Sequence, residues 1–339
     1  MNTFKLPIAL TMGEPSGISA EITLKAWQTD RDKLPPFFII DDPNRLDNIS
    51  TTLGWNVGIH IIQDPIEAID VFKDNLPVLP LNEKVVANLS VPSMANSKPV
   101  LNSICTAVNL ALQGQARAIV TNPIHKSTLY DAGFKYSGHT EYLADLVALK
   151  TEPGMLFVSK HLKIVTVTRH VSLLEALQRL STQLIVETSK LTIEALKKDF
   201  GIAQPRIAIS ALNPHSGEDG FMGKEEIEII KPAIEKLKSF NFMVSGPHPA
   251  DTLFHENARK KYDGFVCMHH DQALIPIKTL DFNSAANVTL GLPFIRTSPD
   301  HGTALDIAGS GIADPSGLIA AIITADEIAD KRARLASKD

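Results

Sequence analysis

Two cysteines, two tryptophans and four tyrosines in 339 residues are few enough to exclude several kinds of protein. Cys105 and Cys267 cannot build a disulfide framework and lack the paired spacing of a zinc ribbon. That scarcity favours a reducing compartment, so the cytoplasm is the expected location. No apolar run reaches the roughly 18 residues of a membrane-spanning helix. The opening stretch MNTFKLPIALTMGEPSG has one lysine and a short apolar segment broken by Gly and Pro, unlike a secretory leader. Neither export nor membrane insertion is expected. An excess of one charge is missing too. The 33 Lys and Arg are interspersed with 38 Asp and Glu, for a net charge of -5, and this leaves no basic stripe for nucleic acid. Internal repeats and low-complexity segments are absent, as is a G-x-G-x-x-G after the first apolar run, which argues against a Rossmann dinucleotide site. Small molecules are the expected partners.

What is present is an alternation. Short β-rich runs at 6–12, 37–40, 116–121, 163–168, 206–212 and 264–268 are separated by helical patterns, which is the signature of an α/β protein. Within 101–112, Leu101, Ile104, Cys105, Val108 and Leu112 recur at helical spacing and share one side. Another helix is predicted from an N-cap at Ser181, through Lys197 and Lys198 in its last turn, to a stop at Gly201. At about 100–200 residues per domain the length predicts two. No Pro/Gly/Ser linker separates them, so interleaved domains are expected.

Three histidines follow three of the predicted strands: His170 after 163–168, His215 after 206–212 and His270 after 264–268. Ligands of open α/β sheets bind beyond the carboxyl ends of the strands, and three neutral imidazoles meeting there form a divalent-metal site with open positions. With 11 histidines in the chain, coincidence is the competing explanation. By strand alternation His269 and His270 point to opposite faces, so only one of them serves a given site, and His269 is expected to face away or line the rim. A loop entering a helix near Thr140 offers backbone N–H groups to an anion, although Thr140 acting only as a cap explains the same pattern.

A set of longer motifs adds to these. TMGEPSGISAEI (11–22), TNPIHKSTLYDAGFKYSGHTEYLA (121–144), LNPHSGEDGFMGKEE (212–226), GPHPADTLF (246–254), HHDQALIPIK (269–278) and NVTLGLPFIRTSPDHGTALDIAG (287–309) together resemble the 4-hydroxythreonine-4-phosphate dehydrogenase family of vitamin B6 biosynthesis, nearly end to end. The resemblance implies a two-domain αβα sandwich like the isocitrate and isopropylmalate dehydrogenases, with the active site in the interdomain cleft. It puts 1–128 plus 290–339 in one domain and 129–289 in the other. It implies one divalent metal per subunit (zinc, magnesium or cobalt) on His170, His215 and His270, in a homodimer whose active site draws on both chains. Substrate contacts carry over to His139, Thr140, Lys278, Asn287 and Arg296, of which Arg296, set between apolar residues, needs a partner if buried. Asp251 and Lys278 are the candidate catalytic residues, Asp251 as a proton acceptor or as a partner orienting a ligand histidine; a helix or turn cap is the plainer reading of Asp251.

At the cofactor end the stretch 300–317 resembles the adenosine-binding loop of the isopropylmalate and isocitrate dehydrogenases. This places NAD or NADP against Gly13, Glu14, His301, Gly302 and Asp306, with Asp306 favouring NAD if it meets the ribose. The implied reaction is metal-dependent oxidation of 4-phosphooxy-L-threonine at its C3 hydroxyl, then decarboxylation to 3-amino-2-oxopropyl phosphate. A paralogue acting on phosphothreonate or phosphoerythronate, and a phosphate acyltransferase on a related fold, are the alternatives. The chain departs from the family pattern at Glu14, Ser16, Ser19 and Ala20 in the first turn, and at Arg169 and His269.

Overall fold

The computed structural model describes residues 6–86 and 88–337. The chain forms two compact units, Met1–Pro153 with Leu292–Ala329, and Gly154–Gly291 with Asp330–Asp339. The first boundary thus lies later than the division at 128/129 drawn from the resemblance. Phe134, Tyr142 and Leu143 join the apolar core of Ile104, Ala107 and Val108, so burying them keeps this segment with the first unit.

The strands in chain order are β1 (Ile8–Thr11), β2 (Phe37–Asp41), β3 (Ile59–Ile61), β4 (Leu76–Pro80), β5 (Ile119–Thr121), β6 (Gly154–Val158), β7 (Lys163–Thr166), β8 (Arg206–Ser210), β9 (Met243–His248), β10 (Gly264–Cys267), β11 (Ala286–Leu290) and β12 (Arg296–Pro299). The first unit holds the order β3-β4-β2-β1-β5-β12, parallel throughout. Every residue of β1 and β2 is buried, as a sheet covered on both faces requires. One face packs Ala9, Phe38, Ile40 and Ile119 against Val100, Ile104, Ala107 and Val108 of the helix Ser97–Leu112. That helix starts earlier than its predicted 101 because Pro99 sits in the first turn, where a missing N–H costs nothing. Strand order reverses at β1, with β2 on one side and β5 on the other. The loops leaving β1 and β5 meet just beyond the strands, where Glu14 N donates to Pro123 O at 2.8 Å.

The second unit runs β11-β6-β7-β10-β8-β9. The pairs β11/β6 and β6/β7 are antiparallel, whereas β7, β10, β8 and β9 are mutually parallel. Phe157, Ile164, Ala208, Phe265 and Cys267 form its core with Ala273 and Ile277 of the helix His270–Asp281. The helix Thr182–Lys198 has the expected ends: Ser181 Oγ accepts from Leu184 N at 3.2 Å, and Gly201 adopts φ 68°. No helix among the described residues is long and apolar enough to cross a membrane.

Candidate active site

The four parallel strands of the second unit aim their carboxyl ends the same way, and each carries one of the singled-out residues just beyond it. His170 follows β7, His270 follows β10, His215 follows β8 and Asp251 follows β9. The rings of His170 and His270 have centroids 6.2 Å apart and line a cavity of 290 Å³ with Thr168, His269 and Asp271. His270 Nδ1 lies 2.8 Å from Asp271 Oδ1. Of the two expectations for His269, facing away and lining the rim, it lines the same cavity, and its Nδ1 is buried with no hydrogen-bond partner among the described residues. Strand alternation stops at Cys267, and His269 and His270 are the N-cap and first residue of a helix, so the two-residue period no longer separates them.

His215 opens a left-handed turn in which His215, Ser216, Gly217, Glu218 and Asp219 have φ of 51°, 56°, 79°, 43° and 53°. Each non-glycine residue there costs roughly 1–2 kcal/mol, so other bonds must hold the turn. Buried Glu226 does this. Its Oε1 accepts from Leu212 N at 2.8 Å and Asn213 N at 2.7 Å, and its Oε2 from Asn213 Nδ2 at 2.9 Å. Burial works to raise the Glu226 carboxyl, but these donors hold it below the ordinary carboxylate value. Gln272 ties the ends of β8 and β10 together. Its Oε1 accepts from Met268 N at 3.0 Å and Ser210 Oγ at 3.2 Å, while Nε2 donates to Ala211 O at 2.7 Å. The sequence reading missed both residues; the signal available was a strained loop with a carboxylate a few residues on.

As donors, imidazoles on strand ends suit a borderline divalent ion. The chain gathers His170 and His270 at one cavity, with the orphaned His269 Nδ1 beside them. His215 does not line that cavity; its Nδ1 lies 3.4 Å from Glu218 Oε2. Among the described residues no three His, Cys, Asp or Glu side chains converge as a metal site. Asp251 is exposed in the short turn Ala250–Thr252, which Pro249 caps, so it is not the turn cap. Lys278 lies on the helix His270–Asp281 with Nζ 5.2 Å from the centre of the Phe282 ring. Asn287 in β11 is buried, and its Oδ1 has no partner among the described residues. A buried acceptor left open is costly unless something occupies it.

In the first unit Arg296 heads β12, is 3% exposed, and donates through Nε to Thr121 Oγ1 at 3.1 Å. Burial lowers its guanidinium to about 10, against the pull of nearby Glu141. His139 is the first residue of the helix His139–Leu146, which Gly138 caps. Thr140 is therefore buried in the first turn and is not the cap, contrary to the plainer sequence expectation. His139 Nε2 is buried without a partner among the described residues. Burial, with Arg296 and Lys126 nearby, holds this imidazole well below its usual range, so it is neutral.

The cofactor candidates surround the loop after β1. Gly13 has φ 67°, and a Cβ on it would sit 2.4 Å from Ser19 Oγ and 2.8 Å from Pro123 O. Glu14 is 3% exposed and accepts from Ser16 N at 3.0 Å; burial raises its pKa despite that bond. His301, Gly302 and Asp306 are exposed, and nothing approaches the open side of Gly302. Two residues not singled out from sequence hold the neighbouring loop. Glu21 accepts from Gly309 N at 3.0 Å and Ala313 N at 2.9 Å, and Lys25 donates to Ala313 O at 2.9 Å.

With this geometry in place, the chain was compared with known proteins. A family model described as pyridoxal phosphate biosynthetic protein PdxA matches residues 33–325. A 4-hydroxythreonine-4-phosphate dehydrogenase of Caulobacter vibrioides is 47% identical over 331 residues, covering 96% of this chain and 98% of that protein. The protein of the same name from Bradyrhizobium diazoefficiens is 49% identical, covering 95% and 97%. A crystal structure of 4-hydroxythreonine-4-phosphate dehydrogenase from Klebsiella pneumoniae superimposes with a TM-score of 0.86 at 35% identity, covering 96% of this chain and all of that one. Agreement in sequence, in fold and over full length has one reading: the chain belongs to the PdxA family.

Proposed function

We propose that the chain oxidises 4-hydroxy-L-threonine 4-phosphate at its C3 hydroxyl with NAD or NADP as acceptor, and that the 3-oxo acid formed loses carbon dioxide to give 3-amino-2-oxopropyl phosphate, a step of pyridoxal 5'-phosphate biosynthesis. The observation that carries this reading is the placement of His170, His270 and His215 at the ends of three neighbouring parallel strands in a chain whose relatives are dehydrogenases of that name.

The three histidines would hold a divalent ion such as zinc, cobalt or magnesium, and the Gly13–Glu14 turn with His301, Gly302 and Asp306 would hold the dinucleotide. When bound, the ion acidifies an alcohol and stabilises an enolate, and the nicotinamide accepts a hydride. The chain's own residues do the rest. Asp251, exposed after β9, takes the C3 hydroxyl proton. His139, Thr140 and Arg296 orient one anionic end of the substrate. Asn287 Oδ1 accepts from a substrate donor, and Lys278 supplies a compact charge and a proton during decarboxylation.

A homodimer with a shared site belongs to the same proposal. His215 does not line the cavity of His170 and His270, and a second chain could supply it there. Leu173, Leu174, Phe221, Ile275 and Phe282, all in the second unit, are between 64% and 91% exposed, and a second chain would cover such side chains.

The test is spectrophotometric. Metal-stripped protein is given NAD or NADP with 4-hydroxy-L-threonine 4-phosphate, and separately with 4-phosphothreonate, then metal is restored. NADH or NADPH formation from the first substrate, dependent on the metal, is expected. Preference for the second substrate would transfer the chain to the sugar-acid alternative, and metal-independent acyl transfer would remove it from the dehydrogenases.

A further inference from the structure

The loop that follows β5 brings a lysine to the start of the helix His139–Leu146. Lys126 Cε and Nζ lie 3.5 and 3.6 Å from where a Cβ on Gly138 would stand, and Glu141 Oε2 lies 3.7 Å from the same point. Gly138 is the cap of that helix, so the ammonium and the carboxylate both border its N-terminus. Arg296 reaches the same neighbourhood from β12 through Thr121, the last residue of β5. His139 presents a buried, unpartnered Nε2 there.

We propose that Lys126 is a further substrate-binding residue, and that with His139 and Arg296 it forms a subsite for the dianionic phosphate of the substrate. The inference rests on the function proposed above and adds which anion binds here and through which residue. Charge balance favours it. Arg296 carries one positive charge and Glu141 one negative, and the two attract. His139 is neutral, because burial and its two cationic neighbours keep it so. Without Lys126 these groups sum to zero, and only the helix dipole, worth about half an elementary charge, would remain to meet a phosphate of about -1.5 to -2. With Lys126 the group becomes net cationic. Arg296, whose Nε and Nη2 both donate to Thr121 Oγ1, contributes its charge, Lys126 a point charge and His139 one ring nitrogen, a set that suits a phosphate. Lys126 is exposed and thus open to ligand, and its removal leaves the core intact.

The experiment is calorimetric titration of the purified full-length protein with inorganic phosphate, followed by steady-state kinetics with 4-hydroxy-L-threonine 4-phosphate. Lys126→Met is expected to weaken phosphate binding at least tenfold and raise KM similarly with kcat within about threefold. Lys126→Arg should restore most of the affinity, and the melting temperature should not move in either variant. Phosphate affinity and KM unchanged in Lys126→Met, while Arg296→Met loses both, would overturn the inference and leave the dehydrogenase reading standing. A wild type that binds phosphate through Lys126 yet oxidises no phosphorylated hydroxythreonine would leave the subsite standing and refute the function.

Discussion

At Gly13 the backbone leaves β1 with φ 67°, and the place of a side chain is taken by Ser19 Oγ, Asn122 Cβ and Pro123 O, all within 2.8 Å. Gly13→Ala must therefore displace backbone as well as adopt a strained conformation. A loss of at least about 2 kcal/mol is expected, read as a lower denaturation midpoint with an unchanged slope. Glu21 acts at longer range. Glu21→Ala removes the acceptor of two loop N–H groups at a cost of roughly 1.5–3 kcal/mol. Faster amide exchange over 305–313 and weaker dinucleotide binding are expected, with catalysis at saturating cofactor nearly intact. Single residues were only partly legible in the sequence. Histidines stand out because they are rare and carry chemistry, so His170, His215 and His270 could be picked from strand ends. Glu21, Glu226 and Gln272 could not, because a carboxylate or amide that satisfies backbone N–H groups far along the chain looks in sequence like any surface polar residue.

Among the elements, the helix His270–Asp281 carries the most. It begins at a candidate metal ligand, bears Lys278, and is fixed at its far end by Asp281. The Asp281 carboxylate accepts from Ser159 Oγ at 2.6 Å and lies 2.9 Å from His161 Nδ1. Burial works to raise its pKa, but the bonds to Ser159 and His161 prevail and hold it below the ordinary value. A folded-state pKa below the unfolded one adds stability above the unfolded value, near 3.9, and that stability fades as the pH falls through the folded value. Asp281→Asn should remove this component: the wild type loses stability below about pH 4 faster than the variant does, as followed by urea denaturation across pH 3–6.

The elements also show why some of the fold was hidden. Helices with caps and periodic apolar faces, such as Thr182–Lys198, were visible, as were the apolar strands β1, β2, β7, β8 and β10. The strands β4 (LPVLP), β9 (MVSGPH) and β12 (RTSP) carry prolines, glycine or polar residues and lack strand periodicity. Tertiary pairing, not local propensity, makes them strands. The same effect undid the alternation argument that set His269 and His270 on opposite faces, since the switch from strand to helix after Cys267 cannot be dated to the residue by alternation.

At the scale of the whole molecule, the homodimer proposed above would cover the apolar side chains exposed on the second unit and would bring His215, which does not line the His170–His270 cavity, to a site from a second chain. Replacing Leu174 and Phe221 by aspartate should halve the mass seen in sedimentation equilibrium and abolish metal retention together. A monomer that kept its metal would break the link between the two.

The most direct test is metal stoichiometry. Apo protein dialysed to equilibrium against zinc should take up one ion per subunit in the wild type. His170→Ala, His215→Ala and His270→Ala should each lose it, and one ion should be visible in anomalous diffraction between the three rings. Full, wild-type-strength uptake by any one of these variants, His215→Ala above all, would contradict the three-histidine centre.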